Sequence, residues 1–318
     1  MEFRRGWLLA AVLLCGGAAS AGAHEIQAPP KLALRSASAL VQDQKTGEVL
    51  LDKHTDSAQP IASITKLMTA MVLLDSQPDL RAPITILEED KDTLRHSRSR
   101  LPVGTTLTRG EALLLALMSS ENRAAHALGR TYPAGLTAFV AAMNAKAAAM
   151  GLTTAHFQDP AGLSSGNVAS ARDLAHIVDQ ADHYPEIRSC TTQESATIQG
   201  QYHPIEFHNT NRLLQSPRWR IGLSKTGFID QSGQCLVMQA ELKQRPMLIV
   251  LLDSTGRGSR FGDADRIRQW VEGADPVLRV RTQRVQKVQR ARRVQKVQRV
   301  QTVQRVQPLH KTRHRRRV

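Results

Sequence analysis

A hydroxyl and an amine stand three residues apart at the start of an apolar run, and this pair could carry chemistry. The run reads I-A-S-I-T-K-L-M-T-A-M, and the pair is Ser63 and Lys66. Apolar residues recur at helical spacing after Pro60, which predicts a helix that begins near Ser63 and places both side chains on one face. A serine is a weak nucleophile until a base takes its proton, and a buried, neutral lysine is such a base. The same spacing also occurs on ordinary solvated helices, so the pair needs partners elsewhere.

A second polar cluster, S-S-E-N, separates two apolar helical segments. A capping box at Thr108 and Glu111 opens the first segment, and the second ends at Gly129. The break exposes the side chains of Ser120 and Asn122 at a corner of the chain. Taken alone, a serine and an asparagine at such a corner are more typical of a helix cap than of a site.

A third cluster lies late in the chain, where Lys225, Thr226 and Gly227 end one β-type run and Gly233 precedes the next. A basic residue and a hydroxyl at a strand edge can bind a carboxylate, and the glycine leaves backbone room for a substrate strand. The alternative is an ordinary strand end.

The elements that must position these clusters alternate between short strands and amphipathic helices. We predict, in chain order, a hairpin over Ser38–Asp52, loops with short strands over Arg81–Thr106, an alanine-rich helix over Leu136–Met150, a helix from Ser170 to about Ala181, two antiparallel strands reading C-L-V-M-Q-A-E-L and M-L-I-V-L-L-D, and a closing helix over Asp265–Val271.

The first 23 residues combine a short basic start, an apolar stretch and an Ala-Gly-Ala exit, which predicts a secretory signal cleaved after Ala23. A lipoprotein anchor at Cys15 is disfavoured because the large Leu14 precedes it. Export to the periplasm would allow a disulfide between Cys190 and Cys235 without requiring one. Since Cys235 lies in an apolar run, we expect it to be a buried free thiol.

Residues 276–318 repeat a Val-Gln-basic unit and contain 15 of the 43 lysines and arginines but none of the 28 acidic residues. The formal net charge of +15 therefore belongs to this tail, and the rest of the chain is neutral. We predict disorder, because the repeat fits neither a helical stripe nor an alternating strand. The tail could contact anionic envelope polymers or lipid surfaces, or it could be a solvated extension without a role. Nucleic acid is not an expected partner of an exported protein.

Ser-x-x-Lys, Ser-x-Asn and Lys-Thr-Gly, in this order, form the motif set of penicillin-binding proteins and β-lactamases. The chain resembles, from about Leu34 to Val271, the low-molecular-mass penicillin-binding proteins of the serine D-Ala-D-Ala carboxypeptidase family. The stretches A-S-I-T-K-L-M-T-A-M, S-R-L-P-V-G, L-M-S-S-E-N-R-A-A and K-T-G-F-I-D-Q-S-G-Q-C-L-V-M are most similar to the penicillin-binding protein 7 group of D-alanyl-D-alanine endopeptidases. The basic tail departs from the family pattern.

The resemblance implies a role for each residue of the three motifs. It makes Ser63 the acylated nucleophile, Lys66 its general base and Ser120 a proton relay to the leaving amine. Asn122 would bind the substrate peptide, while Lys225 and Thr226, beside Gly227, would bind its carboxylate. Lys225 would also help to keep Lys66 neutral by repulsion. The backbone N–H groups of Ser63 and Phe228 would form the oxyanion hole.

The resemblance implies an α/β (α+β) fold of the β-lactamase/transpeptidase type, with an antiparallel sheet flanked by helices and a helical lobe carrying Ser120. The predicted parts are a signal peptide (1–23), a linker (24–33), a catalytic domain (34–275) and the tail (276–318). No metal-ligand spacing occurs in the sequence, and we expect neither metal nor cofactor.

The implied function is hydrolysis of peptidoglycan cross-links through an acyl-enzyme, with β-lactams as inhibitors. A D-Ala-D-Ala carboxypeptidase is the alternative, because both enzymes use the same residues. A catalytically idle β-lactam- or peptidoglycan-binding module is an alternative of another class, although the complete motif set argues against it. A class A β-lactamase is disfavoured because no Glu-x-x-Leu-Asn occurs between Ser120 and Lys225.

Overall fold

The computed structural model of the chain describes residues 32–200 and 203–273. The predicted signal peptide and the basic tail lie outside the described residues. No helix within the described ranges has both the length and the apolar composition that crossing a bilayer requires.

The described chain contains eleven strands and seven α-helices, which we number in chain order. The strands are β1 (Ser36–Asp43), β2 (Val49–Lys53), β3 (Gln59–Pro60), β4 (Pro83–Thr85), β5 (Thr106–Thr108), β6 (Val168–Ala169), β7 (Ser195–Gln199), β8 (Pro204–His208), β9 (Arg220–Ile229), β10 (Gly233–Leu242) and β11 (Arg245–Ser254). The helices are α1 (Lys66–Asp75), α2 (Arg109–Met118), α3 (Asn122–Arg130), α4 (Gly135–Ala149), α5 (Ala171–Ala181), α6 (Pro185–Thr192) and α7 (Ser259–Val271).

A five-stranded antiparallel sheet in the order β2-β1-β11-β10-β9 joins both ends of the described chain. In register, Leu40 stands opposite Val250, and Val237 pairs with the same residue from the other side. Strand β9, which carries the Lys-Thr-Gly motif, is an edge of this sheet. The predicted antiparallel sheet and the α+β fold class are confirmed.

Both faces of the sheet are covered, which explains the continuous apolar sequence of β11. Alternate residues such as Leu40 and Val250 belong to one core cluster, together with the residues of α1 to α6. Their neighbours Val41 and Ile249 belong to a second cluster, which includes Ile267 of α7. The period-two alternation of strands thus assigns each apolar side chain to one of two cores.

Helices α1 to α4 form the lobe that carries the first two motifs. The predicted capping box is present at the start of α2, where Thr108 Oγ1 accepts from the N–H of Glu111 at 3.1 Å and the glutamate carboxylate accepts from the N–H of Thr108 at 2.7 Å. Ser170 caps α5 in the same manner, by accepting from the N–H of Asp173. Local side-chain chemistry therefore fixes two of the helix starts.

The two chain ends of the sheet are joined by a buried carboxylate on α7. Asp263 accepts hydrogen bonds from the N–H of Arg35 at 3.1 Å, from the N–H of Ser36 at 2.7 Å and from Ser36 Oγ at 2.6 Å. Its side chain also pairs with Arg266. The first strand is thereby tied to the last helix.

Two sequence-based boundaries were wrong. Helix α7 begins at Ser259, six residues before the predicted start at Asp265, because its first turn buries Phe261 against the second core and uses Asp263 as described above. Strand β9 continues to Ile229 and pairs with β10 beyond Gly227, so Lys225 lies within the strand. The predictions also omitted helix α6 and the β7–β8 hairpin.

Candidate active site

Ser63 and Lys66 lie at the junction of a 3-10 turn (Ala62–Thr65) and α1, close to the predicted helix start. Lys66 Nζ donates hydrogen bonds to Ser63 Oγ at 2.8 Å and to Asn122 Oδ1 at 2.8 Å. A third bond of 2.6 Å goes to the carbonyl oxygen of Ala161, which also lies 3.4 Å from Ser63 Oγ. Lys66 is fully buried, with 0% exposure. The amine is thus directed at the serine oxygen by acceptors from two other chain segments.

The backbone before Ser63 has an unusual conformation, and two glycines pack against it. Ala62 has a positive φ of 48°, which an L-residue rarely adopts. A Cβ atom on Gly162 would lie 2.0 Å from the carbonyl oxygen of Ala62, and one on Gly227 would lie 2.8 Å from that of Ile61. Only glycine fits at these two positions, so two distant segments pack directly against the turn that presents Ser63.

A carboxylate organises the loop that supplies the carbonyl oxygen of Ala161. Asp159 Oδ1 accepts from the N–H groups of Ala161 at 2.8 Å and Gly162 at 2.7 Å, while Oδ2 accepts from the N–H of Ser164 and from Asn167 Nδ2, both at 2.8 Å. These bonds fold the D-P-A-G-L-S stretch into a tight turn whose carbonyl faces Lys66.

Burial lowers the pKa of Lys66 from its ordinary value of 10.5 to about 7, although the carboxylates of Asp159, Glu121 and Asp92 act in the opposite direction. The cause is the cost of placing an ammonium group away from water. A large fraction of Lys66 is therefore neutral near pH 7 and able to accept a proton from Ser63.

The corner between α2 and α3 brings Ser120 and Asn122 to the same cleft. Ser120 adopts a left-handed conformation with φ of 61°, and its Oγ accepts a hydrogen bond of 2.9 Å from Lys225 Nζ. Asn122 Oδ1 faces Lys66, and its Nδ2 donates to Ser97 Oγ at 2.9 Å. The strained corner turns the two side chains toward the two lysines.

Strand β9 forms the third side of the cleft. Lys225 is 1% exposed, and its Nζ donates to Ser120 Oγ and, at 3.0 Å, to the carbonyl oxygen of Thr226. Thr226 Oγ1 donates to Thr210 Oγ1 at 2.6 Å. Arg260 Nη1 donates to the carbonyl oxygen of Gly227 at 2.7 Å from the side of α7. Two basic side chains, Lys225 and Arg260, thus lie at the Lys-Thr-Gly edge.

The two buried lysines lie in different electrostatic surroundings. Burial, Lys66 and Arg260 together lower the pKa of Lys225 well below its ordinary value. Repulsion between ammonium groups is reciprocal, but carboxylates stabilise charge on Lys66 whereas Arg260 opposes it on Lys225. Burial is the main cause of the lowered pKa of Lys66, and the predicted help from Lys225 stays a prediction.

Phe228 follows the motif on β9, and its side chain is 54% exposed at the cleft. A Cβ on Gly227 would lie 3.3 Å from the backbone nitrogen of Ser63, so the strand passes directly beside the nucleophile. This places the chain at Phe228 next to the turn of Ser63, as an oxyanion hole of their two N–H groups requires. The structure brings together all the predicted site residues, and their catalytic roles stay predictions.

Sequence reasoning missed Asp159, Ala161, Ser97 and Arg260. The Asp-Pro-Ala-Gly stretch gave a turn signal, but no pattern indicated which carbonyl would face Lys66. Strands β10 and β11 separate Arg260 from Lys225 in the sequence, and only the packing of α7 brings Arg260 to the carbonyl oxygen of Gly227. The role of the Ala161 carbonyl oxygen could not be read from the sequence, since every residue type has a backbone carbonyl.

Both cysteines of the described chain are free: Cys190 is half-buried and Cys235 is buried. The expectation for Cys235 is confirmed. Burial raises the pKa of Cys190 to about 12 and that of Cys235 to about 11. Within residues 32–200 and 203–273, no group of three or more histidines, cysteines and acidic residues is arranged to hold a metal ion.

Comparison with known proteins identifies relatives over most of the chain. The sequence profile of the family described as D-alanyl-D-alanine carboxypeptidase, peptidase family S11, matches residues 23–256. A D-alanyl-D-alanine endopeptidase of Pseudomonas aeruginosa is 43% identical over 276 residues, which cover 84% of this chain and 89% of that protein. An endopeptidase of the same description from Escherichia coli is 41% identical, with 75% and 78% covered.

A D-alanyl-D-alanine carboxypeptidase of a Streptomyces species is 30% identical, over 85% of this chain and 99% of that protein. The crystal structure of the Streptomyces K15 DD-transpeptidase superposes with a TM-score of 0.70 at 27% identity, covering 75% of this chain and 97% of that chain. These matches confirm the predicted resemblance and fold. The chain therefore belongs to the family described as D-alanyl-D-alanine carboxypeptidase, and it is a serine peptidase of the penicillin-binding protein type.

Proposed function

We propose that this protein is a D-alanyl-D-alanine endopeptidase that hydrolyses peptidoglycan cross-links through an acyl-enzyme on Ser63. The observation that carries the proposal is the buried contact of 2.8 Å between Lys66 Nζ and Ser63 Oγ, with the pKa of Lys66 at about 7. The endopeptidase preference is supported by the relatives at 43% and 41% identity, both described as endopeptidases. The family description and the Streptomyces relative support a carboxypeptidase as the second candidate.

In the acylation step, Ser63 Oγ attacks the carbonyl carbon of the D-Ala residue while its proton passes to neutral Lys66. The oxygen that gains negative charge is bound by the N–H groups of Ser63 and Phe228. Breakage of the peptide bond requires a proton on the departing amine. Ser120 Oγ relays to this amine the proton that Lys66 took from Ser63, so Lys66 becomes neutral again. Water then hydrolyses the ester and regenerates Ser63.

Substrate carboxylate binds at Lys225 and Thr226, on the leaving-group side of the cleft. An anion next to Lys225 opposes the effect of burial and favours the ammonium form. Binding of the carboxylate therefore raises the pKa of Lys225, and the ammonium form donates a charge-assisted hydrogen bond to the carboxylate. Asn122 holds the peptide of the acyl-donor side. β-Lactams acylate the same serine.

Digestion of purified sacculi tests the proposal, using the chain without residues 276–318 beside its Ser63→Ala variant. An endopeptidase converts cross-linked dimers to monomers. Persistence of the dimers with loss of terminal D-Ala would establish the carboxypeptidase instead. Full activity of Ser63→Ala would refute the mechanism, and β-lactam labelling without any turnover would indicate a binding module.

We further propose that the protein is exported to the periplasm and that its tail contacts anionic envelope components. The supporting observations are the signal-like residues 1–23 and the 15 basic residues of the tail. Deleting residues 276–318 should release the protein from envelope fractions at low salt, because a contact between charges is screened by salt. Retention that is unchanged by the deletion and insensitive to salt would refute the tail's role.

A further inference from the structure

The segment 92–101, which we call the rim segment, lies directly against the corner that carries Ser120 and Asn122. Ser97 Oγ accepts from Asn122 Nδ2 at 2.9 Å, and Ser99 Oγ donates to Glu121 Oε1 at 2.6 Å. Arg95 donates to the carbonyl oxygen of Leu163, close to the acceptor of Lys66. The rim segment therefore borders the cleft along the side of Asn122.

This border carries four arginines, none of which lies within salt-bridge distance of a carboxylate of the described residues. Arg95 binds the carbonyl just described, and Arg123 Nη1 donates to the carbonyl oxygen of Leu101 at 2.7 Å. Arg100 stacks over the ring of Phe207, 4.9 Å from its centroid. Arg98 is exposed between the two anchored serines. By contrast, Arg130, Arg172 and Arg245 elsewhere on the surface each pair with two acidic residues.

The acidic residues of the same region are already engaged. Asp92 accepts from the N–H groups of Leu94, Arg95 and Ser97, and these bonds help to lower its pKa. Glu121 is 8% exposed and bound to Ser99. Both carboxylates therefore accept hydrogen bonds from the rim segment itself, while Arg98 and Arg100 are exposed to solvent. The border is positive although the protein without its tail is neutral.

The position of the rim segment determines which part of a substrate would meet it. Lys225 takes the carboxylate on the leaving-group side, and Asn122 holds the peptide on the acyl-donor side. Because Ser97 touches Asn122, the rim segment lies where the donor peptide continues upstream of the scissile D-Ala. A guanidinium group is suited to carboxylates, which it can bind through two parallel hydrogen bonds.

We propose that Arg98 and Arg100 bind free carboxylates on the acyl-donor peptide and so select donor peptides that are not amidated. The inference rests on the proposed function and names the substrate class of the same site. Exposed ion pairs contribute modestly, so the expected preference for the carboxylate form over the carboxamide form is about threefold to tenfold in kcat/KM at low salt. Salt should reduce it, because the contacts are open to solvent.

The test uses two cross-linked muropeptides that differ only in carrying carboxylates or carboxamides on the donor residues upstream of the D-Ala. The enzyme is compared with Arg98→Gln/Arg100→Gln and with a control, Arg218→Gln. Arg218 is exposed and lies next to Trp219, which donates to Asp265 of α7, so its replacement removes an arginine charge outside the rim segment. Thermal unfolding and the rate of acylation by labelled penicillin report whether the fold and the catalytic residues are intact.

The expected result is that the double variant hydrolyses both peptides equally, through a raised KM for the carboxylate form, with penicillin acylation unchanged. The control retains the preference. Equal use of both peptides by the unmodified enzyme, or an equal loss on both in the double variant, would overturn the inference. Monomeric versions of the two peptides can compete with labelled penicillin, and this competition measures donor preference even if no cross-link is hydrolysed. A failure of the endopeptidase proposal is thus distinguished from a failure of this inference.

Discussion

Acylation of Ser63 by saturating labelled penicillin should accelerate as the pH rises through about 7, because only neutral Lys66 can accept the serine proton. At the ordinary lysine pKa of 10.5, roughly one molecule in three thousand would carry the neutral amine at pH 7. With the pKa at about 7, about half of the molecules carry it. Burial thus raises the reactive fraction about a thousandfold. Because the penicillin is saturating, the measured rate reports acylation and not penicillin binding, in which Lys225 takes part.

The Glu121→Gln variant tests the electrostatic origin of this dependence of the acylation rate on pH. The carboxylate of Glu121 favours the charged form of Lys66, so its removal should lower the pKa of Lys66 further and move the rising limb to lower pH. The glutamine retains an oxygen that can accept from Ser99 Oγ. Glu206→Gln is the control, because this exposed residue lies on the β7–β8 hairpin.

Rapid mixing at a series of pH values, with the acyl-enzyme quantified by fluorescence after denaturation, measures both profiles. A rate that is independent of pH between about 5.5 and 9 would refute Lys66 as the titrating base. The electrostatic reasoning would be refuted if the rising limb of the pH–rate profile moved to higher pH in Glu121→Gln. It would also be refuted if the limb moved as far in Glu206→Gln as in Glu121→Gln. Lys66→Arg should abolish acylation at every pH, because arginine stays protonated.

Three further predictions concern the framework of the site. Gly162→Ala should slow acylation at least tenfold, whereas Gly151→Ala, which shares a positive φ but has open space around it, should cost only about 1 kcal/mol of stability and leave acylation unchanged. Asp263→Asn should lower the free energy of unfolding in urea by about 1–3 kcal/mol, because a buried acceptor of several donors loses its charge. Cys190 and Cys235 should resist thiol reagents in the native protein without residues 1–23 and react after denaturation, since burial keeps both as thiols.

Features with a local cause could be predicted from the sequence. The helix starts at Thr108 and Ser170 depend on side chains that bond to backbone groups three residues away, and such bonds leave a readable pattern. The pairing of Ser63 with Lys66 follows from helical periodicity alone. The order of the three motifs then indicated the family, and the resemblance predicted that Ser120 and Lys225 lie in the same site.

Features that depend on contacts between distant segments could not be predicted. The start of α7 is set by the packing of Phe261 and by the bonds of Asp263 to the first strand, and neither leaves a local pattern. The turn at Ala62, with its positive φ, is packed against two glycines from other parts of the chain. The lowered pKa of Lys225 depends in part on Arg260, which only tertiary packing brings near.

The pairing of β1 with β11 also constrains how the chain can fold during its synthesis. Asp263 and Ser36 are separated by 227 positions, and β1 cannot take its place in the sheet until both β11 and α7 are available. Contacts of such long range close late and slowly. An emerging chain can therefore form α1 and the helical lobe early, yet the cleft remains without its Lys-Thr-Gly wall. Nascent or truncated chains should stay inert toward peptidoglycan, and reactivity with β-lactams should appear only when almost the whole domain has been completed.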